Sequence, residues 1–218
     1  MKRVLVFLLL FTAIQNVKAQ TEKDYPPIIR AVGNAMNLEK GKTLNEFRQS
    51  LLNSNHTDIT QDVKPDAKNV CIMEGTNKGL TTTYEIYYLG DGRIYELVVS
   101  LDTDKEGKYR DRPDVKLQVQ RIAFNNISNS LHKEFGKPTI SIMDWEEPYT
   151  KKDWEDPVRT AAALMSNKLF ILFAYVSSKY KDTEYKDEPS IYISLDPLMR
   201  VRMGVKDVEL YKLLKKDK

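Results

Sequence analysis

The chain has few of the residues from which disulfide frameworks, metal centres and catalytic triads are built. Its 218 residues include one cysteine, Cys71, and two histidines, His56 and His132. One cysteine cannot form an internal disulfide, so packing must stabilise the fold, and we expect Cys71 to be buried. Neither histidine has a second ligand at the spacing of a metal site. The sequence therefore predicts no metal, no cofactor and no catalytic residues.

Long apolar runs are missing too, except near the N-terminus. Lys2 and Arg3 precede the apolar run 4–11, and Val17-Lys18-Ala19 presents small or modest side chains where a signal peptidase reads the chain. The run is shorter than the ~20 residues that span a bilayer. We therefore expect residues 1–19 to be a cleaved signal peptide. The mature protein is then exported by a bacterium, has no transmembrane segment, and is periplasmic or extracellular.

An excess of positive charge is absent from the mature chain. The full sequence has 34 Lys and Arg against 31 Asp and Glu. The first nineteen residues hold three basic side chains and no acidic one, which leaves 31 of each sign in residues 20–218. Nucleic-acid binders carry a basic patch or stripe. The composition therefore predicts no nucleic acid among the partners.

Helix and strand patterns are present throughout the rest of the chain. Residues 20–42 form a polar lead-in, after which Thr43 and Glu46 fit a capping box at the start of a helix. Short apolar or alternating runs predict strands over residues 69–73, 81–89 and 93–101, and Gly90-Asp91-Gly92 is a hairpin turn. In the third of these strands the alternation puts four side chains on one face: Tyr95, Leu97, Val99 and Leu101.

The second half begins with a long helix over residues 113–135. Pro113 suits its first turn, and Gly136 ends it. Its expected buried stripe consists of Val115, Val119, Ile122, Ile127, Leu131 and Phe135. Strands are then predicted over 139–143, 159–165, 169–176 and 191–195, with the second and third forming a hairpin, and residues 205–218 form a C-terminal helix.

These patterns predict an α+β fold in which an antiparallel sheet carries its helices on one face. Each half of the domain 43–204 contains a helix, a strand and a two-stranded hairpin, and the second half adds one strand. This order favours a duplicated helix-strand-hairpin (αβββ) unit with halves 43–112 and 113–204. The alternative is a chance match of elements, since the residues themselves do not repeat.

One stretch of the second half resembles a known group of proteins. The helix end Leu131-His132-Lys133-Glu134-Phe135-Gly136-Lys137-Pro138, followed by a strand, Trp145, a hairpin and Phe173-Ala174-Tyr175, is similar to small exported bacterial α+β domains, mostly of unknown function. Those domains have β-lactamase-inhibitor-like or TATA-binding-protein-like folds. The resemblance covers about residues 115–195 and has Phe135 where tyrosine is usual. It implies a fold and brings no catalytic residues.

A short acidic and aromatic pattern occurs twice, nine residues apart. It reads Asp144-Trp145-Glu146-Glu147-Pro148 and then Asp153-Trp154-Glu155-Asp156-Pro157, with Tyr149 between the two copies. Indole rings flanked by carboxylates can stack on sugars or hold a basic peptide, and a pair of carboxylates can also hydrolyse glycosides. Alternatively, each tryptophan packs on the sheet and the acids keep the loop soluble. The candidate ligand-binding residues are Trp145, Glu146, Tyr149, Trp154 and Glu155.

Three functional hypotheses follow. The first is an exported, non-enzymatic binding module whose partner is a protein or an envelope or extracellular ligand. The second is a hydrolase that acts on glycans or peptides through carboxylates of the loop between Trp145 and Trp154. The third is a structural component of a cell-envelope assembly, which would leave a large apolar face uncovered in the monomer.

Overall fold

The computed structural model describes residues 43–77, 80–102, 107, 109–176, 183–184 and 188–216. The predicted signal peptide 1–19 and the lead-in 20–42 lie outside the described residues. The elements in the described part, in chain order, are α1 (Leu44–Asn53), β1 (His56–Asp58), α2 (Thr60–Val63), β2 (Val70–Asn77), β3 (Leu80–Tyr88), β4 (Ile94–Asp102), α3 (Pro113–Phe135), β5 (Ile140–Trp145), a 3-10 helix (Lys151–Glu155), α4 (Pro157–Met165), β6 (Leu169–Tyr175), β7 (Ile191–Leu195), β8 (Val201–Lys206) and α5 (Val208–Lys216).

The strands form one eight-stranded antiparallel sheet, which confirms the predicted α+β fold. Their order is β1-β2-β3-β4-β8-β7-β6-β5. Within the described residues each half therefore builds four strands, and the last strand of each half lies at the centre. Each half also follows the order helix, strand, short helical segment, three strands. Duplication as the origin of this order stays a prediction.

The core lies between one face of the sheet and the helices α1, α3 and α4. From β2, β3 and β4 it receives Met73, Ile86, Leu97 and Val99, and from β6, β7 and β8 it receives Ile171, Ile193 and Val205. Phe47 of α1 packs edge-on against Tyr84, with ring centroids 6.1 Å apart. Phe124 of α3 packs against Phe173 at 5.4 Å. Burial of these side chains is the main source of stability.

Two strands were not predicted, and one segment that was predicted as a strand is a helix. Residues 159–165 were expected to form a strand, and they belong to α4. Asp156 caps this helix by accepting from the backbone N–H groups of Val158 and Arg159, and Pro157 occupies its first turn. The alanines that follow are strong helix formers, which outweighs the alternation of apolar residues. The missed strands are β1 and β8.

One predicted core position is also wrong, and one side chain leaves the strand face on which alternation placed it. Ile122 is 63% exposed, because the buried stripe of α3 runs instead through Leu117, Ala123, Phe124, Ile127 and Leu131. Tyr95 leaves the core because the register shifts at Tyr87 and Tyr88, so that Tyr88 pairs with Ile94. Its ring lies against Tyr87 and against Tyr211 of α5.

A glycine at the centre of the sheet makes room for an aromatic ring. Gly204 of β8 is the direct cross-strand partner of Tyr192 in β7. A Cβ atom at Gly204 would overlap the ring of Tyr192. The Tyr192 hydroxyl donates to Glu96 at 3.2 Å, which holds the ring over the glycine.

We expect Gly204→Ala to lower the free energy of unfolding by about 1–3 kcal/mol, because the ring must leave its position. Gly90→Ala is the matched control, since nothing lies within 4 Å of a Cβ atom there. It should change stability by less than about 0.5 kcal/mol. Urea denaturation of both variants measures the difference, and equal stabilities would show that the Tyr192 ring is not fixed over Gly204.

Candidate functional site

The predicted aromatic residues of the loop after β5 pack against the protein itself. Trp145, Tyr149 and Trp154 are partly buried and contact the hydrophobic core. The Arg121 guanidinium lies over the Trp154 ring, 3.9 Å from its centroid, and donates to the Trp154 carbonyl at 3.1 Å. One face of this indole is therefore already covered by a cation from α3.

Most of the carboxylates of the same loop have structural partners. Glu146 pairs with Lys168 at 2.7 Å. Asp153 accepts from the backbone N–H of Thr150 and pairs with Arg159. Asp156 is the N-cap of α4. Glu155 is exposed. These contacts account for three of the acids as supports of a turn, a 3-10 helix and a helix start. Ligand binding by Trp145, Glu146, Tyr149, Trp154 and Glu155 stays a prediction.

The structural role of these acids can be measured by comparing two neighbours. Asp156→Ala removes the cap of α4 and should lower the free energy of unfolding by about 1 kcal/mol, whereas Asp156→Asn should restore most of it because asparagine caps equally well. Glu155→Ala is the control and should change stability by less than about 0.5 kcal/mol. Thermal denaturation distinguishes them. A loss with Glu155→Ala as large as with Asp156→Ala would contradict this account.

A second group of polar residues lies on the face of the sheet opposite α1, α3 and α4. Alternation along each strand puts these side chains on one face of β3, β4, β7 and β8, which we call the polar face: Glu85, Tyr87, Glu96, Ser100, Tyr192, Ser194, Arg202 and Lys206. Lys64, after α2, reaches the same face. The four central strands of the sheet therefore carry charge on one side and the core on the other.

Glu85 is the centre of the first half of the polar face. Its carboxylate pairs with Arg202 at 2.7 Å and with Lys64 at 3.1 Å, and it accepts from the Tyr87 hydroxyl at 2.9 Å. Burial alone would raise the pKa of Glu85, but Arg202, Tyr87 and Lys64 outweigh it and hold that pKa below the usual value. Glu85 is therefore ionised, and its charge is satisfied within the protein.

Glu96 occupies the second half of the polar face in a less favourable setting. It accepts from Tyr192 at 3.2 Å, and the Lys206 ammonium lies 3.8 Å away and also pairs with Glu188 at 3.2 Å. Burial raises the pKa of Glu96, and Lys206 opposes this only in part. Two carboxylates thus share one lysine.

Polar groups without partners accompany these ion pairs. Among the described residues, buried side-chain atoms that have no hydrogen-bond partner include the Ser100 hydroxyl, the Ser190 hydroxyl and Arg202 Nε on this side of the sheet, and Gln120 Oε1, Trp145 Nε1 and the Tyr175 hydroxyl elsewhere. Ser100 is the direct cross-strand partner of Arg202. Ser190 precedes β7 and accepts from the backbone N–H of Lys206 through its carbonyl. Leaving a buried polar group unpaired costs about 1–3 kcal/mol, so this face retains unused hydrogen-bonding capacity.

Sequence reasoning did not find the polar face because two of its eight residues, Arg202 and Lys206, lie on a strand that was not predicted. β8 alternates Val201, Met203 and Val205 with Arg202, Gly204 and Lys206, which is the signal that could have identified it. The glycine and the two cations weaken its resemblance to a strand. The pairing of β4 with β8, which assembles the face, has no local signature.

The two glutamates should respond to pH in opposite ways. The pKa of Glu85 is lowered in the folded chain, so its stabilising contribution is complete above the ordinary value of 4.5 and is lost as the pH falls through the folded pKa. Glu85→Gln should therefore cost about 1–2 kcal/mol at pH 7 and progressively less below pH 4.5.

The pKa of Glu96 is raised, so its ionised form weakens the fold once the pH exceeds the folded pKa. Glu96→Gln keeps an acceptor for Tyr192 and should be at least as stable as wild type at pH 7, with the relative gain falling as the pH drops toward 4.5. Denaturation curves between pH 3.5 and 7 with the wild type as reference measure both variants. A loss of stability at pH 7 that is equal in the two variants would contradict the assignment.

Comparisons with other proteins do not identify the chain. No protein-family model matches it, and no significant match is found among curated proteins or solved structures. The resemblance to exported inhibitor-like domains therefore stays a prediction. Within the described part of the chain, no helix has both the length and the apolar character needed to cross a membrane.

Proposed function

We propose that this protein is an exported, non-enzymatic binding module that recognises a partner protein through the polar face of its sheet. The observation that carries the proposal is the exposed ring of Phe170 beside the charged and polar side chains of this face.

The neighbouring strand supplies an apolar contact next to the charges. On the same side of the sheet, Leu172 of β6 pairs with Ser194, and Phe170 lies two residues from Leu172. The Phe170 side chain is 52% exposed. An exposed aromatic ring beside charged and polar groups is typical of protein interfaces, where aromatic residues and arginine supply much of the binding energy. This combination favours a partner protein over a small ligand.

The charges of the polar face also suit recognition rather than catalysis. Lys64, Arg202 and Lys206 balance Glu85, Glu96 and Glu188, and each is engaged with a group of opposite sign. Groups held in this way orient a partner and reject wrong ones. The loop hydrolase and the envelope-assembly hypotheses stay predictions, because no contact described here favours either.

Binding can be tested with the mature protein immobilised and exposed to the native envelope and secreted fractions. Phe170→Ser removes the exposed ring on the neighbouring strand beside the polar face. Met165→Ser is the matched control, since Met165 is 57% exposed on α4. The double variant Glu146→Ala, Glu155→Ala tests the loop. Retained proteins are quantified by mass spectrometry.

We expect one or a few proteins to be retained equally by wild type, Met165→Ser and the loop variant, and at least tenfold less by Phe170→Ser. Retention that is unchanged in Phe170→Ser would refute the polar face as the binding site. Loss in the loop variant would move the site to the predicted loop. If the wild type retains no protein above the level of an unrelated bait, the module does not bind a partner protein.

A further inference from the structure

The strand β5 is an open edge of the sheet, because β6 is the only described strand that pairs with it. The opposite edge is β1, which has three residues and therefore offers little backbone for pairing. Native proteins protect sheet edges with short strands, lysine, proline or bulges. β5 has six residues, contains no lysine, proline or glycine, and pairs with β6 in a regular register. It is therefore long and regular enough to accept a further strand.

Alternate residues of β5 direct their backbone groups away from the sheet. Just beyond the strand, the Glu146 N–H donates to the Lys168 carbonyl at 2.8 Å, and this pair continues the register of β5 and β6. In an antiparallel pair, opposed residues that exchange hydrogen bonds alternate with opposed residues that do not. The N–H and C=O groups of Ser141 and Met143 therefore point outward. Within the described part of the chain these groups have no partner.

Both sides of β5 are accessible along this edge. Ser141 lies on the core side, opposite Phe173, and its side chain is nevertheless exposed. On the other side Asp144 is exposed, and Ile142 is half-buried beside Leu172. Among the described elements, only β6 packs extensively along β5. An incoming strand therefore meets accessible backbone groups, and Ile142 offers it an apolar contact.

We propose that β5 pairs antiparallel with β5 of a second copy of this chain, about a two-fold axis at Ile142. Ser141 of each copy then exchanges backbone hydrogen bonds with Met143 of the second copy. Opposed residues of an antiparallel pair point to the same face, so both cores stay on one side of the joined sheet. The two Ile142 side chains face each other as a pair without hydrogen bonds, in which side chains approach most closely. The inference does not rest on the proposed function, since it concerns the purified chain alone.

Charge complementarity favours a second copy over an unrelated strand. Lys137 precedes β5 and Glu147 follows it; both are exposed, and neither has an ion-pair partner among the described residues. With the axis at Ile142, Lys137 of one copy lies opposite Glu147 of the other, and the symmetry repeats this pair at the far end. Asp144 lies opposite Ile140, which keeps the two aspartates about 14 Å apart. A shift of the axis by one residue would lose both ion pairs.

Sedimentation equilibrium of the purified mature protein tests the dimer. We expect the wild type to associate reversibly into a dimer and no further, because a two-fold interface is closed. Ser141→Pro removes an outward N–H that the sheet does not use, and proline is tolerated at such an edge position. It should raise the dissociation constant at least tenfold. Ser141→Thr keeps the N–H and is the matched control, with an expected change of less than about twofold. Circular dichroism verifies the fold of each variant.

A charge exchange tests the register without altering the strand. Lys137→Glu sets two glutamates against each other at both ends of the interface and should raise the dissociation constant at least fivefold at low ionic strength. The addition of Glu147→Lys recreates both ion pairs with reversed sign and should restore the dissociation constant to within about twofold of wild type. Only pairing between identical strands gives this restoration.

Three results would overturn the inference. The first is a wild type that stays monomeric up to about 1 mM chain, which leaves no affinity of biological use. The second is a folded Ser141→Pro variant that dimerises as tightly as Ser141→Thr. The third is a double variant Lys137→Glu, Glu147→Lys that associates no more tightly than Lys137→Glu alone.

Discussion

The pairing of β4 with β8 holds the molecule together, because it joins two four-stranded halves that are far apart in the sequence. Leu97 lies opposite Val205 and Leu101 lies opposite Val201, so the two halves meet in the core. The same register sets Glu96 opposite Lys206 and Ser100 opposite Arg202 on the other face. Side chains in a strand alternate strictly, so a slip of one residue would exchange the two sets and bury four polar groups under α3. The packing of the core therefore determines which side chains form the polar face.

This arrangement explains why the ion pairs are partly buried at the centre of the sheet. Charges at such a position are desolvated, and they are tolerated only when opposite charges and hydrogen bonds compensate them. Glu85 meets this condition with three partners, whereas Glu96 shares Lys206 with Glu188. Replacing the whole network with apolar residues would cost the fold little. A polar network at this place is thus explained better by recognition than by stability.

Local patterns predicted most elements and the fold class. The capping box of Thr43 and the ends of α3 at Pro113 and Phe135 follow the sequence signals, since these depend on neighbouring residues. The failures have non-local causes. α4 is helical because of its cap, Ile122 is exposed because the packing on the sheet sets the rotation of α3, and β8 gains its partners from strands in both halves. The polar face was not predictable for the same reason, as its members come from four strands.

The contrast between the loop and the polar face supplies a physical criterion for choosing between them. In the loop, Glu146, Asp153 and Asp156 are each satisfied by a lysine, an arginine or a helix N-terminus, and Arg121 covers Trp154. On the polar face, Ser100 and Arg202 keep buried donors without acceptors. A fold that needed these residues only for its own stability would gain from a smaller, apolar side chain at position 100. The loop also keeps one buried donor without a partner, Trp145 Nε1, so the choice between the two sites rests on the exposed Phe170 ring beside the polar face.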